Sequence, residues 1–234
     1  MTDVAGYERL RPGEDPPYLD RDYGSTVKRA PLQKLLRVEH TISEVTGPSF
    51  EDGWAGPDKA DLTRQHKSEP LGERMIVAGR VLDEHGRPVP GTLVELWQAN
   101  SAGRYMHEAD QHDAPLDPNF TGAGQVVTNA NGEYRFVTII PGAYPWRNTH
   151  NAWRAQHLHF SVFGSGFAAR VITQMYFPGD PLLEYDPIFH SVSDAAARER
   201  LVSRYDPNLS VAEWALGYRF DIVLRGRSAT PAGI

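Results

Sequence analysis

Two histidines separated by a single residue are the clearest chemical feature of this sequence. His157 and His159 open the apolar and aromatic segment HLHFSVFG. Residues two apart on a β-strand point to the same side of it, so both imidazoles can reach one centre while Leu158 faces the opposite side. A His-x-His pair alone is more often two unrelated polar residues at a sheet edge. Its surroundings therefore decide how it is interpreted.

Two tyrosines upstream could complete a metal-binding set. Tyr105 closes the segment LWQANSAGRY, and Tyr144 lies in PGAYPWRN between turn-forming residues. Because the chain has no cysteine, any metal must be held by nitrogen and oxygen ligands. Two phenolates and two imidazoles suit a hard trivalent ion such as Fe(III) better than Zn(II), Cu(I) or Mg(II). A tyrosine in such a loop is usually a packing residue, so the ligand set is a hypothesis at this point.

The composition excludes several classes of function. The formal charge of −6 and the scattered Arg and Lys residues argue against a nucleic-acid partner or an anionic membrane surface. The lack of cysteine excludes disulfides, iron–sulfur clusters and a cysteine nucleophile. The N-terminus has no apolar signal-peptide core, and no apolar run approaches the roughly 20 residues of a membrane helix. We therefore predict a cytoplasmic protein with no membrane and no nucleic-acid partner.

The first part of the chain differs in texture from the rest. Residues 1–70 are rich in Pro, Gly and charge, with one short apolar stretch, Leu35 to Val45, that could form a strand. This part also holds four aromatic residues, Tyr18, Tyr23, Phe50 and Trp54. Such residues would be costly to leave exposed together. We predict a Pro/Gly-rich N-terminal arm over 1–70 that packs on a partner subunit, and a catalytic domain over 71–234.

The second part of the chain has the pattern of short strands. RMIVAGRVL and LVELWQA indicate two strands around a turn at 85–88, and the side chains from 94 to 98 alternate with the period of two that a strand has. GEYRFVTIIPG, HLHFSVFG, RVITQMYF and YRFDIVLRG have similar composition and are bounded by Gly or Pro. One helix is predicted over 193–203, with Ser193 as its N-cap. The pattern predicts an all-β chain, a sandwich or a barrel, with little helix.

Several motifs occur together and in a fixed order. They are WQAN…GRY, DPNF, PGAYPWRN, WRxxHxHF, ITQMYFPGDPL and YRFDIVLRG. Together they resemble the intradiol ring-cleavage dioxygenases, and among these the iron-binding β-type chains of the two-chain enzymes. The similarity runs from about Tyr23 to Gly226. It implies a β-sandwich of the transthyretin (prealbumin) type, in agreement with the strand pattern.

The resemblance also implies roles for individual residues. The family's four ligands to a single Fe(III) match Tyr105, Tyr144, His157 and His159. Its catalytic residues match Tyr144, which would leave the iron and take up a substrate proton, together with Arg154 and Gln174. Its substrate-binding residues match Trp97, Trp146 and Ile188 in the pocket wall and Tyr23 at the substrate carboxylate.

The implied reaction is the cleavage of protocatechuate (3,4-dihydroxybenzoate) by O2 to 3-carboxy-cis,cis-muconate, in the β-ketoadipate pathway of aromatic degradation. The implied partner is a homologous α-type subunit in a hetero-oligomer. One alternative keeps the chemistry but takes catechol or hydroxyquinol as substrate; relatives of that kind have a helical N-terminal dimerisation region, unlike this arm. The other alternative is a metal-free transthyretin-like binding module. The presence of all four ligand positions with Arg154 and Gln174 argues against it.

Overall fold

The computed structural model describes residues 13–36, 55–147, 150–163 and 170–233, without the side chains of 57 and 58. The strands in these ranges are β1 Arg74–Leu82, β2 Leu93–Trp97, β3 Ala123–Val127, β4 Glu133–Ile139, β5 Tyr144–Pro145, β6 Trp153–Arg154, β7 His157–Phe163, β8 Arg170–Tyr176, β9 Arg204–Tyr205, β10 Leu216–Arg219 and β11 Ile222–Val223. The helices are α1 Pro57–Ala60, α2 Pro187–Ser191 and α3 Ala195–Glu199, with 3₁₀ turns at Gly24–Lys28 and Pro181–Tyr185. A chain made mostly of strands with little helix is confirmed. No helix in the described ranges has the length and apolarity needed to cross a membrane.

Strand β1 organises the larger sheet. It pairs antiparallel with β4 on one side and parallel with β10 and β11 on the other, and β9 pairs with β10. Its sequence RMIVAGRVL is apolar along most of its length, and its side chains from Met75 to Ala78 are all buried. A strand with neighbours on both edges and cover on both faces has this composition.

The smaller sheet carries the two histidines. Its four strands run in the order β3-β2-β7-β8, all antiparallel. In its register, His159 lies between Trp97 on β2 and Gln174 on β8. The predicted strands around the 85–88 turn are both present, but they lie in different sheets. The chain turns back with a bridge between Leu82 and Pro88 and then enters β2 of the smaller sheet.

The two sheets share one apolar core. Val77 and Phe136 from the larger sheet belong to the same buried cluster as Leu96, Leu158 and Phe160 from the smaller one. Complete burial of an aliphatic or phenyl side chain contributes roughly 1.5–3 kcal/mol, so this cluster holds the sheets together. Strand β7 therefore has one face in the core, and the face carrying the histidines is free to form a site.

The predicted helix after the 3₁₀ turn at Pro181–Tyr185 is shorter than expected. It is α3, Ala195–Glu199, and its N-cap is Asp194, whose side chain accepts a hydrogen bond from the backbone N–H of Ala197 at 2.8 Å. The prediction of Ser193 as the cap was wrong, because the next residue also caps helices well and has the carboxylate in reach of the first turn.

The predicted arm is only partly described. Tyr23 is buried, whereas Tyr18 is exposed. Leu35 and Leu36 are exposed and not in a strand; the remainder of the predicted strand from Leu35 to Val45, like Phe50 and Trp54, lies outside the described residues. The division of the chain at residue 70 stays a prediction.

Candidate metal centre

The chain that follows β2 is folded into a tight loop by the side chain of Asn100. This buried amide accepts hydrogen bonds from the backbone N–H groups of Ala102 and Arg104, each at 2.9 Å. Tyr105 comes next, and its own backbone N–H donates to the carboxylate of Asp110 at 2.8 Å. Side-chain hydrogen bonds therefore fix the backbone before Tyr105 and at Tyr105 itself, and with it the point from which the phenol projects.

Tyr144 reaches the same place from the short hairpin of β5 and β6. The two tyrosine loops touch at glycines. Gly103 has a φ of +79°, and a Cβ on it would lie 2.5 Å from the carbonyl oxygen of Ala143; Gly142 is crowded against the same loop. Because only glycine permits both this backbone conformation and this close approach, the loops can meet. The rings of Tyr105 and Tyr144 then lie edge to face, with centroids 5.8 Å apart.

The two histidines project from β7 on the face opposite the core. His157 Nδ1 lies 2.6 Å from the carbonyl oxygen of Ala155 and donates to it, which leaves Nε2 of the neutral ring as a free electron-pair donor. The ring of His159 is stacked flat on Trp97, with centroids 4.8 Å apart and an interplanar angle of 7°. The turn before β7 thus holds the imidazole of His157, and the neighbouring strand β2 holds that of His159.

A phenol and two imidazoles converge on one point. Tyr105 Oη lies 3.3 Å from His157 Nε2 and 3.0 Å from His159 Nε2, and the two nitrogens are 3.2 Å apart. Donors about 2.0–2.1 Å from a shared metal ion lie about 3.0–3.4 Å from one another. Two electron pairs facing each other at this distance repel unless a cation or a proton lies between them. The donor set therefore fits a single metal ion.

The phenols are needed to complete such a site. In the part of the chain that the structure describes, no group of three or more His, Asp or Glu side chains could hold a metal. Tyr144 stands beside the three converging donors, its ring centroid 5.7 Å from that of His157. Phenolate and imidazole together make a nitrogen and oxygen donor set of the kind that suits iron.

Burial controls the charge of these groups. Burial raises the pKa of the Tyr105 phenol well above its ordinary value, and it also raises the pKa of Tyr144, against the opposing charge of Arg154. Burial and the same guanidinium lower the pKa of His159 to about 3 and that of His157 well below its ordinary value. Both imidazoles are therefore neutral near pH 7, the form that binds metal, whereas the phenols need a cation beside them to ionise.

Arg154 is buried next to the tyrosines. Its Nε–H donates to the carboxylate of Asp186 at 3.0 Å, and its Nη2 donates to the side-chain oxygen of Gln174. Its Nη1 lies 3.5 Å from Tyr144 Oη, and Nη2 lies 3.4 Å from the hydroxyl of Tyr176. The guanidinium is thus a fixed cation between a buried carboxylate and the phenols.

A cavity of about 760 Å³ opens beside the converging donors. Its wall includes five of the predicted residues, Trp97, Tyr105, Tyr144, Trp146 and His159. Its polar lining includes His107, Asp110, His112, Asp113 and Arg147. Cavities of about 300–1,000 Å³ accommodate small organic ligands. The cavity is therefore large enough for a single aromatic ring with its substituents.

Tyr23 and Ile188, the other two predicted substrate contacts, do not border the cavity. The ring of Tyr23 stands edge-on to that of Trp146, with centroids 5.0 Å apart. Ile188 is buried in α2, where its backbone N–H donates to Asp186 at 2.9 Å, and it does not border the cavity. Their predicted contacts with a substrate stay predictions.

The likeness to known proteins agrees with this geometry. A family model described as Dioxygenase matches residues 45–226. The chain is 56% identical over 218 residues to the protocatechuate 3,4-dioxygenase beta chain of Burkholderia cepacia, and the match covers 92% of each chain. This chain belongs to the intradiol ring-cleavage dioxygenases. Intradiol dioxygenases are known to use iron, which agrees with the phenol and imidazole donors.

More distant intradiol dioxygenases share the architecture. The protocatechuate 3,4-dioxygenase alpha chain of Pseudomonas putida is 26% identical, over 82% of this chain and 95% of its own. The solved structure of a catechol 1,2-dioxygenase from an Acinetobacter species matches with a TM-score of 0.53 at 26% identity, over 71% of this chain and 56% of that one. The arrangement of strands is therefore common to intradiol dioxygenases named for different substrates.

Two residues of the site were not predicted from the sequence. Tyr176 follows Gln174 by two positions on β8, and its hydroxyl donates to the Gln174 side chain at 2.8 Å. The period of a strand could have indicated it. Asp186 precedes a proline at the start of α2, which signals a helix N-cap. Its pairing with Arg154, 32 residues away, has no local signal in the sequence.

Proposed function

We propose that this chain is the iron-binding β-type subunit of a protocatechuate 3,4-dioxygenase. The enzyme would cleave the ring of protocatechuate between its two hydroxyl-bearing carbons, with both oxygen atoms of O2 entering 3-carboxy-cis,cis-muconate. One observation carries the proposal. A phenol and two imidazoles meet within 3.3 Å of one another in a chain that is 56% identical to a beta chain of that name.

The ligands that would hold one Fe(III) in each chain are Tyr105, Tyr144, His157 and His159. When bound, the ion would supply Lewis acidity that makes a chelated catecholate reactive towards O2. The neutral imidazoles and the His157 tautomer set by Ala155 support this assignment. Two phenolates would neutralise part of the ion's charge and so favour its trivalent state.

Two residues would act on the substrate's charge and protons. Tyr144 Oη would take up a hydroxyl proton as the catechol binds. Before that step, the Arg154 guanidinium, whose Nη1 lies 3.5 Å from Tyr144 Oη, would help to stabilise the phenolate. Arg154 would stabilise the negative charge that develops on the ring, because it is a fixed cation in a buried site. Gln174 would hold the guanidinium through its side-chain oxygen.

The aromatic walls would orient the ring and exclude water from it. Trp97 and Trp146 border the cavity, and Trp146 also lies under the Arg154 guanidinium, 5.5 Å from its ring centroid. Tyr23, packed on Trp146, would reach the substrate carboxylate through its hydroxyl. The place of Ile188 in the substrate pocket stays a prediction from the family resemblance, because Ile188 is buried in α2 and does not border the cavity.

The partner we propose is a homologous α-type chain. In the described part of the arm, six apolar or aromatic side chains are exposed by more than half, and they are Tyr18, Leu19, Val27, Leu32, Leu35 and Leu36. A second chain covering the 1–70 arm would remove them from water. We also propose that the two sheets of residues 71–234 form a sandwich of the transthyretin (prealbumin) type. The cytoplasmic location stays a prediction from the sequence.

Oxygen uptake tests the substrate. The chain is co-expressed with a homologous α-type chain, and iron per chain and O2 consumption are measured with protocatechuate and with catechol. We expect close to one iron per chain, visible absorption from phenolate-to-iron(III) charge transfer, and faster uptake with protocatechuate. Faster uptake with catechol, or with hydroxyquinol assayed in the same way, would support the first alternative, and a colourless, iron-free protein would support the metal-free binding module.

A further inference from the structure

The carboxylate of Asp186 is fully buried and joins two parts of the site. Among the described residues, four N–H groups donate to it. One oxygen accepts from Arg154 Nε at 3.0 Å and from the backbone N–H of Ala155 at 3.1 Å. The other accepts from the backbone N–H groups of Ile188 and Phe189, at 2.9 and 3.1 Å. A single side chain therefore ties the start of α2 to the turn between β6 and β7.

This arrangement limits where the guanidinium can point. With Nε bound to Asp186, the planar guanidinium of Arg154 can rotate only about that hydrogen bond. Its Nη2 then meets Gln174 and its Nη1 faces Tyr144. An ionised carboxylate accepts at both oxygens and donates at neither, so no neutral side chain of this size satisfies all four N–H groups.

We propose that Asp186 is a positioning residue of the reaction: it aims Arg154 at the Tyr144 hydroxyl, and it does so beyond its part in capping α2. The inference rests on the proposed function for its kinetic consequence, but the position of the guanidinium can be tested without it. Asp186 borders neither the cavity nor the converging donors in the described residues. Its links to the site are the Arg154 guanidinium and the backbone N–H of Ala155, whose carbonyl accepts from His157 Nδ1. Iron content reports on the second link, and a double-mutant cycle with Arg154 reports on the first.

The chain offers a closely matched control. Asp180 also caps a short helical turn, accepting from the backbone N–H of Leu182 at 2.9 Å. It also ties that turn to the same segment, by accepting from the backbone N–H of Gln156 at 2.8 Å. No arginine is paired with it in the described part of the chain. Asp180→Asn therefore removes a comparable helix cap and backbone tie without changing the position of a guanidinium.

The test compares Asp186→Asn with Asp180→Asn in the full chain, co-expressed with its α-type partner. In Asp186→Asn, an NH2 group replaces one carboxylate oxygen, so a donor faces N–H groups that it cannot accept from. We therefore expect the crystal structure of this variant to show the Arg154 guanidinium moved away from Tyr144. We expect iron content and the visible band to be retained and kcat to fall by about tenfold or more, with KM changed much less. Asp180→Asn should keep the wild-type kcat, whatever its melting temperature.

A double-mutant cycle separates positioning from a general loss of structure. If Asp186 acts through Arg154, Asp186→Asn should lower kcat less than about twofold in an Arg154→Lys background. An equal loss in both backgrounds, or an unchanged kcat with a displaced guanidinium, would overturn the proposal. If Asp186→Asn does not fold, Asp186→Ser replaces it under the same criteria, because serine keeps a cap for α2 and removes the oxygen that faces Arg154.

The two proposals can fail separately. If the wild-type enzyme takes up no oxygen with any catechol, the proposed function is wrong. The crystal structure of Asp186→Asn then decides the inference by itself, and an unmoved guanidinium overturns it.

Discussion

Replacing Arg154 by lysine keeps the positive charge at this position but removes the planar guanidinium with its three nitrogens. The guanidinium donates in separate directions to Asp186 at 3.0 Å and to Gln174, and its third nitrogen faces Tyr144 at 3.5 Å. A lysine carries its three donors on a single nitrogen, so it cannot reach all the acceptors that the guanidinium meets with three separate nitrogens. Hydrogen bonds to charged groups contribute about 1.5–3 kcal/mol each, so losing one or two inside this buried network should lower the free energy of unfolding by about 1.5–6 kcal/mol.

The effect of Arg154→Lys on turnover should be distinct from this loss of stability. If the nitrogen facing Tyr144 stabilises charge on the reacting ring, kcat should fall about tenfold or more, a loss of transition-state stabilisation of roughly 1.4 kcal/mol. Iron should be retained, because the substitution alters none of the proposed ligands. Urea unfolding, iron per chain and oxygen-uptake kinetics measure the three quantities in one preparation.

Arg170→Lys is the control for this substitution. Arg170 also lies in the smaller sheet, but its side chain is half-exposed and its pairing with Glu95 is loose, at 3.7 Å. Exposed pairs of this kind contribute about 0–1 kcal/mol. Arg170 also donates to Ser161 Oγ at 2.9 and 3.0 Å, and a lysine ammonium can keep one such bond. Stability should therefore fall less than in Arg154→Lys, and kcat should not change. An unchanged kcat in Arg154→Lys with iron retained would show that Arg154 is only a structural ion pair.

Three further predictions concern the ligands and the partner. His157→Ala or His159→Ala should abolish iron binding nearly completely, because each removes one of the four proposed protein donors; near-stoichiometric iron by elemental analysis with activity in both variants would refute the assignment. Tyr144→Phe should keep much of its iron and lose most of its turnover, whereas Tyr105→Phe should lose iron and visible colour more directly; wild-type turnover in Tyr144→Phe would contradict its role as the proton acceptor. Expressed alone, the chain should aggregate, lose iron or turn over protocatechuate poorly, since its exposed arm and site lack the α-type chain. Size-exclusion chromatography with iron and activity measured across the peak checks this, and a soluble, coloured, fully active assembly of the chain by itself would refute it.

The strands of the smaller sheet were the part of the fold that could be predicted best from the sequence. Strands with one buried face alternate in their side chains, and this alternation located β2 and the histidine face of β7. The pairing of the strands was harder to predict. The sequence of the 85–88 turn does not show whether the strand after it pairs within the same sheet or crosses to the other sheet. That choice depends on which core residues meet in three dimensions, as Leu96 and Phe160 do.

The site shows the same division between local and distant information. His157 and His159 are two apart on one strand, so their convergence could be predicted from spacing. The tyrosines lie 52 and 13 residues before His157, and no periodicity links them to it; only the resemblance to a family indicated their place. Asp186 was missed because its cap and its ion pair join segments that are separate in the sequence.

The close contact between the loops at Gly103 and Gly142 has a consequence for distant relatives. The spacing between the two phenols is set at positions that have no side chain and that belong neither to the cavity wall nor to the donor set. A homologous chain could keep both tyrosines and both histidines and still be inactive if either glycine had become alanine, because the loops would have to move apart. Activity in divergent members of the family is therefore better inferred from the tyrosines and these two glycines together than from the donor residues alone.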